Sequence, residues 1–285
     1  MNYRFGKNEC LPAAVRRIAL EELDAARVEL TLAADDPEAL HEVRKRIKRV
    51  RALLRLGRDG LGEAYAESLV LRDVGRMLAA HREADALVEI LRHEAGSAGS
   101  ADLRVLEATV RLHQAARAPV RERDADLARA RRTLGGLRRR LARAPMVEVR
   151  RKSCLRRLRR AYGHARDQWW LAVSTPTDEN LHEWRKLTKI LLNQLRLVRS
   201  WAGKGLTRYR IALADLDERL GQARDFAHLA GILRGVPAAE VSLRYGLGLR
   251  VRLEHAVDDQ LSRAFALGRR LFRFKARTFQ ERWFP

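Results

Sequence analysis

The sequence has few of the features that commit a chain to redox, membrane or metal chemistry. Its 285 residues include only two cysteines, Cys10 and Cys154, too few and too far apart for a disulfide framework or a metal-ligand spacing. That scarcity fits a reducing cytoplasm. No uninterrupted apolar run approaches the ~20 residues needed to cross a bilayer. The start, Met1-Asn2-Tyr3-Arg4-Phe5-Gly6-Lys7, shows no apolar core followed by a small-residue cleavage site, so no signal peptide is expected. The sequence predicts a soluble, cytoplasmic protein. Alternating β-branched runs are missing too, which argues against a β fold. Negative charge is scarce: 36 Asp+Glu stand against 58 Lys+Arg, a formal net charge of +22. An excess this large implies a polyanionic partner such as nucleic acid, polyphosphate or an anionic membrane. Only eight of the cations are Lys. Arg grips phosphate oxygens through a planar fork, where Lys acts as a point charge.

What is present reads as helix almost throughout, because Ala, Leu, Arg and Glu dominate. The expected helices of the first half run over 13–33, 37–56, 61–80, 83–94, 101–117 and 121–143. Those of the second run over 147–170, 178–200, 206–220, 224–233 and 238–272. Breaks fall at Asp35-Asp36-Pro37, Gly96 to Ser100, Ala118-Pro119, Ala144-Pro145, Thr175-Pro176-Thr177 and Gly235-Val236-Pro237. Asp36 before Pro37 reads as an N-cap, and Thr177 or Asp178 takes that role in the second half. With 285 residues the chain can bury a sizeable core, as one large domain or two fused halves.

Two stretches of the chain are versions of one another. Leu40-His41-Glu42-Val43-Arg44-Lys45-Arg46-Ile47-Lys48 returns as Leu181-His182-Glu183-Trp184-Arg185-Lys186-Leu187-Thr188-Lys189, and Leu54-Arg55-Leu56 returns as Leu195-Arg196-Leu197. The offset is constant at 141 residues, from His41 to His182. Leu78 to Glu83 similarly lies 142 residues before Leu220 to Asp225 and is expected, like it, to open a new helix. Such a repeat points to a duplicated structural unit. We therefore expect two antiparallel helical bundles, over about 1–144 and 145–285, in one domain.

The spacing says where the repeated side chains point. At ~100° per residue, His41, Arg44, Lys45, Lys48, Arg51 and Arg55 share about a third of the helix circumference, with Val43, Ile47, Val50 and Leu54 opposite. In the second copy His182, Arg185, Lys186, Lys189 and Arg196 form the stripe, backed by Trp184, Leu191 and Leu195. Ordinary surface helices mix charges, since like pairs at i,i+4 cost a few tenths of a kcal/mol each. A polyanion that neutralises both stripes is the simplest reason for tolerating this repulsion twice. A pair of merely solvated basic faces is the competing reading, and recurrence in register argues against it.

Catalytic machinery is not visible. Neither His-Glu pair makes a zincin motif, because the positions four residues on are Lys45 and Lys186. There is no phosphate-cradling Gly-rich loop, no nucleophile elbow and no carboxylate cluster for Mg²⁺. Glu42 and Glu183 are expected to orient neighbouring cations rather than act as bases. His41 and His182 are either helix-start donors to a carbonyl or proton-dependent donors at a phosphate site. The tract Arg138-Arg139-Arg140 and the run from Arg150 to Arg160 are either solvated faces or extensions of an anion track. The aromatic tail from Phe272 to Pro285 reads as a segment docked over the bundle.

On His41-x-x-Arg44-x-x-x-Lys48-x-x-Arg51, His182-x-x-Arg185-Lys186-x-x-Lys189 and the Leu78–Glu83 and Leu220–Asp225 segments, the chain resembles the CHAD family, the "conserved histidine α-helical domain". The resemblance spans nearly the whole chain. It implies an all-α fold of two pseudo-symmetric bundles flanking a basic central groove or pore. It also implies non-enzymatic binding of inorganic polyphosphate, with no cofactor and no metal; the role is then association with polyphosphate granules or sensing of stored phosphate, and no membrane partner is expected. His41, Arg44, Lys45, Lys48, Arg51 and Arg55 would line one wall, and His182, Arg185, Lys186, Lys189 and Arg196 the other. Arg82 and Arg224 would supplement them. The second copy departs from the pattern, having Leu192 where the first has Arg51. The triphosphate tunnel domain carried by many relatives has no counterpart here. Sequence-independent nucleic-acid binding is the alternative; a phosphohydrolase or polyphosphate kinase ranks last.

Overall fold

Two short caps start the two signature helices. Asp36 accepts a hydrogen bond from the Glu38 N–H at 2.8 Å, and Pro37 sits in the first turn of α2 (Pro37–Leu56). Thr177 does the same for α8 (Asp178–Leu197), its hydroxyl oxygen accepting from the Asn180 N–H at 3.2 Å. Each cap satisfies an N–H that the first helical turn leaves free.

The computed structural model describes residues 3–34, 36–95, 101–117, 123–145, 148–203, 205–235 and 243–284; within these, the side chains of residues 37, 80, 82–85, 101, 117 and 243–245 are not described. The described residues form eleven α-helices and no strand. Besides α2 and α8 these are α1 (Leu11–Leu32), α3 (Glu67–Met77), α4 (Ala79–Ala95), α5 (Ala101–Arg117) and α6 (Arg123–Arg143). The rest are α7 (Arg151–Ser174), α9 (Leu206–Arg234), α10 (Leu243–Leu271) and α11 (Ala276–Trp283). The fold is all-α, as the composition indicates.

Short connections make neighbours antiparallel. Helices α1 and α2 are clasped by Arg46–Glu29 at 3.5 Å and Arg49–Glu22 at 3.4 Å. The Gln168 side chain of α7 donates to the Asn180 carbonyl of α8 at 3.2 Å. Arg219 of α9 donates to Gln260 of α10 at 3.2 Å. Helix α2 packs on α8 at the centre, with α6 beyond α1 and α10 beyond α9.

One hydrophobic core runs through both halves of the sequence. Phe5, Ile18, Ile47 and Leu54 belong to it together with Trp184, Leu195, Leu213 and Phe272. A smaller core joins Leu87, Leu91, Leu106 and Val110 of α4 and α5 to Leu229, Leu233, Leu249 and Leu253 of α9 and α10. Burying each of these large side chains contributes ~1.5–3 kcal/mol. The sequence repeat near Pro145 therefore separates two copies of a pattern, not two cores. Gly268 of α10 enforces the close crossing with α7 and α8. A Cβ there would lie 2.5 Å from Trp169 Nε1 and 2.9 Å from Trp184 Cζ2.

Two local expectations change. The break expected between Leu220 and Arg224 is absent, because α9 continues unbroken from Leu206 to Arg234. The packing of α9 against α8 and α10 holds Gly221 in the helix despite its poor propensity. The helix expected over 61–80 starts later. Two 3-10 turns, Arg58–Gly60 and Gly62–Ala66, precede α3. The aromatic tail docks as expected: Phe279 of α11 is fully buried and stacks on Tyr162, whose hydroxyl donates to the Phe274 carbonyl at 3.0 Å.

Candidate functional site

The two stripes meet where α2 packs on α8. Lys48 keeps exposed surface over the residue as a whole, but its ammonium end is crowded by protein and lies near Lys189, Arg44 and Arg185. Burial, then Lys189, Arg44 and Arg185, push its ammonium down to about 7; Asp217 opposes them. Lys48 and Lys189 hold corresponding positions in the repeat, as do Arg44 and Arg185. Lys189 is also lowered, by desolvation first and by Arg185 and Arg196, while Asp217 of α9 counteracts. That carboxylate lies 3.3 Å from the Lys189 ammonium.

Several contacts recur between the copies. Glu42 holds Lys45 at 2.6 Å, and Glu183 holds Lys186 at 2.6 Å, so both acids orient a cation as expected. Arg44 donates to the Ala79 carbonyl at 3.2 Å. The Arg185 guanidinium lies against Gly221, where a Cβ would be only 3.2 Å from Nη2. Ala79 and Gly221 each follow the matched leucine, Leu78 or Leu220. The absent side chain thus leaves room for a guanidinium.

Further cations gather at the ends of the stripes. His182 is exposed, and desolvation, Arg224, Arg185 and Lys186 lower its pKa. That places Arg224 beside the second stripe. Arg51 is lowered to about 10 by burial and by Arg55, Arg72 and Arg76. Arg196 is lowered by desolvation and then by Arg49, with Arg199 also near; Arg210 feels Arg199 and Arg196 in turn. The structure thus groups Lys48, Lys189, Arg44 and Arg185, with His182, Lys186 and Arg224 beside Arg185. Arg51 and Arg55 sit instead with α3, and Arg196 with Arg49. Lys45 stays with its own Glu42. Arg82 lies in α4, but its side chain is outside the described residues.

Sequence reasoning did not single out Arg72, Arg76, Arg210 or Asp217. Arg72 and Arg76 are four residues apart on α3, a helical pair that could have been flagged; Asp217 carries no signal until α9 is seen against α8. Among the described residues, Glu38, His41 and Glu42 bring one ligand atom each within 4.8 Å of one another. Glu42 is committed to Lys45 and the group stands at an open helix start, so it carries no metal assignment. No described helix is long and apolar enough to cross a membrane.

Comparison with known proteins gives this arrangement a family. No curated protein matches the sequence. Among solved structures, PptA from Streptomyces chartreusis is similar at 17% identity and a TM-score of 0.61, covering 90% of this chain and 98% of that one. The CHAD domain from the plant Ricinus communis is similar at 20% identity and a TM-score of 0.61, covering 96% of this chain and 95% of that one. At these identities the likeness is one of fold. The sequence pattern of the CHAD domain, however, matches residues 14–234 directly, and the chain belongs to the CHAD domain family.

Proposed function

We propose that the protein binds inorganic polyphosphate, without turning it over, in a basic groove between α2 and α8. The observation that carries this reading is the meeting of Lys48, Arg44, Lys189 and Arg185 from corresponding places in two repeats. Like charges drawn together in a folded protein oppose folding unless something offsets them. A linear phosphate chain offsets them at every repeat, offering charge-assisted acceptors to Arg and Lys without needing bases to be read. His41 and Lys45 on one wall, with His182, Lys186, Arg196 and Arg224 on the other, would lengthen the track, and Arg51 and Arg55 would extend it toward α3. Membership of the CHAD family supports the same ligand. Binding of this kind suits a protein held at polyphosphate granules in the cytoplasm.

A second reading, nucleic-acid binding, draws on a different surface. Arg129, Arg132, Arg139 and Arg143 of α6 are exposed on one side of that helix. The deciding experiment is a competition at moderate salt between long-chain polyphosphate and duplex or single-stranded nucleic acid. The proposal expects polyphosphate to displace nucleic acid and resist the reverse. It further expects Arg44→Ala with Lys48→Ala to weaken polyphosphate binding while helicity is kept. Equal competition, or full binding by that variant, overturns the groove assignment.

A further inference from the structure

The two central lysines differ in the acid beside them. Lys189 faces a carboxylate, Asp217, at 3.3 Å. Lys48 has no ion pair with a described residue, and the acid that acts on it is the same Asp217. With Leu78 matched to Leu220, the position corresponding to Asp217 is Gly75 of α3. Gly75 lies beside α2, the site of a Cβ there being 3.6 Å from Ile47 Cγ2. The repeat thus carries an acid at this position in the second copy, beside Lys189, and a glycine in the first.

The acid is well placed to matter. Its side chain is only 14% exposed. It acts on Lys48 and Arg196 as well as Lys189, raising the proton affinity of all three. Its Oδ1 is buried and accepts no hydrogen bond from a described side chain or backbone group. A carboxylate among the cations that would grip phosphate repels that phosphate and competes for the same ammonium.

We infer that Asp217 is an intramolecular competitor for the phosphate chain, holding the Lys189 ammonium until a chain anchored on the Lys48 side displaces it. The inference rests on the polyphosphate reading above and concerns how tightly and how reversibly that site binds. Its consequence for salt dependence is specific. A lysine already neutralised by a fixed carboxylate carries no condensed anion to release, so Lys189 adds little to the salt slope while Asp217 is present.

The test compares the full chain with Asp217→Asn, Asp217→Glu and Gly75→Asp for binding of long-chain polyphosphate across a salt series. Asp217→Asn is expected to bind about tenfold more tightly, as removal of one nearby charge should give. Its log Kd against log salt should steepen by about 0.7, the increment for one further cation on a single-stranded polyanion. Dissociation should slow accordingly. Asp217→Glu keeps the charge and should keep the parental slope. Gly75→Asp, whose Cβ the 3.6 Å spacing accommodates, places an acid at the first copy's counterpart of Asp217 and should do the reverse of Asp217→Asn. Weaker binding by a folded Asp217→Asn, with an unchanged slope, would make the aspartate a positioning residue for Lys189 and overturn the inference. So would unchanged affinity in both Asp217→Asn and Gly75→Asp. If Asp217→Asn fails to fold, the Gly75→Asp slope decides alone. Failure of the unaltered protein to bind polyphosphate overturns the function reading together with this one.

Discussion

The two sides of α2 treat the same residue types in opposite ways. Toward α1, Arg46 and Arg49 converge on Glu22, each at 3.4 Å, and Arg46 also reaches Glu29 at 3.5 Å. The Glu22 side chain is 3% exposed, so two guanidinium groups and a carboxylate form a buried cluster that fastens two helices. Toward α8, Arg44 and Lys48 meet Lys189 and Arg185, with Asp217 as the acid acting among them. Cations facing α1 have been given their counter-charge by the fold, whereas toward α8 the central Lys48 has no ion pair with a described residue. The first arrangement stabilises the bundle. The second crowds like charges together.

The largest expected effect breaks the neutralised side. Glu22→Gln removes the shared carboxylate and leaves Arg46 and Arg49 facing one another in a dry position. Loss of one partner from a buried ionic cluster costs about 3 kcal/mol. Urea unfolding should show that loss, while polyphosphate affinity per folded molecule stays within about twofold of the parent. An equal loss of affinity would mean that the α1 side also belongs to the binding surface.

Lys48→Met tests the other side and should reverse the pattern. It relieves repulsion, so stability at neutral pH should hold or rise, while polyphosphate binding falls about tenfold for one lost phosphate contact. The pH dependence sharpens this. Burial and the three neighbouring cations lower Lys48 to about 7, whereas the unfolded chain keeps the ordinary lysine value. Between those two pH values the unfolded state binds more protons, so this lysine makes stability rise with pH across that window and is most unfavourable below it. The stability–pH curve of Lys48→Met should be flatter there. Binding has the opposite sign, because phosphate prefers the protonated lysine. Affinity should therefore weaken as pH climbs above about 7 in the parent, and less so in Lys48→Met.

The sequence made some of this legible and not the rest, for physical reasons. The all-α fold, the caps at Asp36 and Thr177, and the split of α2 into an apolar and a cationic face are local properties, set by spacing within one helix. Recurrence at a fixed offset then singled out Lys48 and Lys189 as counterparts. It could not say that they would lie close to each other, since that depends on how α2 packs on α8. Nor could it separate Arg46 and Arg49 from their neighbours, because Glu22 and Glu29 come from another helix. The continuous α9 was misjudged for a related reason: Gly221 reads as a break in isolation, but it is packing space for the Arg185 guanidinium. Asp217 was invisible because an acid on a mixed-charge helix means nothing until its neighbour is known.

The smallest expected effect concerns the acids at the head of each stripe. Glu42 and Glu183 hold Lys45 and Lys186 three residues along the same helix, both at 2.6 Å. Lys45 and Lys186 remain 44% and 51% exposed, so solvent screens both pairs and neither acid is needed for the fold. Glu42→Gln and Glu183→Gln should each cost about 0.3–0.5 kcal/mol, a difference measurable only by careful denaturant titration. Each frees one lysine at the head of its stripe, and the double variant should bind polyphosphate no more than about threefold more tightly than the parent. These pairs sit at corresponding positions, so the two single variants should match. Asp217 has no such counterpart, and its effect should be the larger. If Glu42→Gln and Glu183→Gln instead differed strongly, the asymmetry between the copies would extend beyond Asp217 to the heads of the stripes, and the phosphate chain would have a preferred end from which to enter.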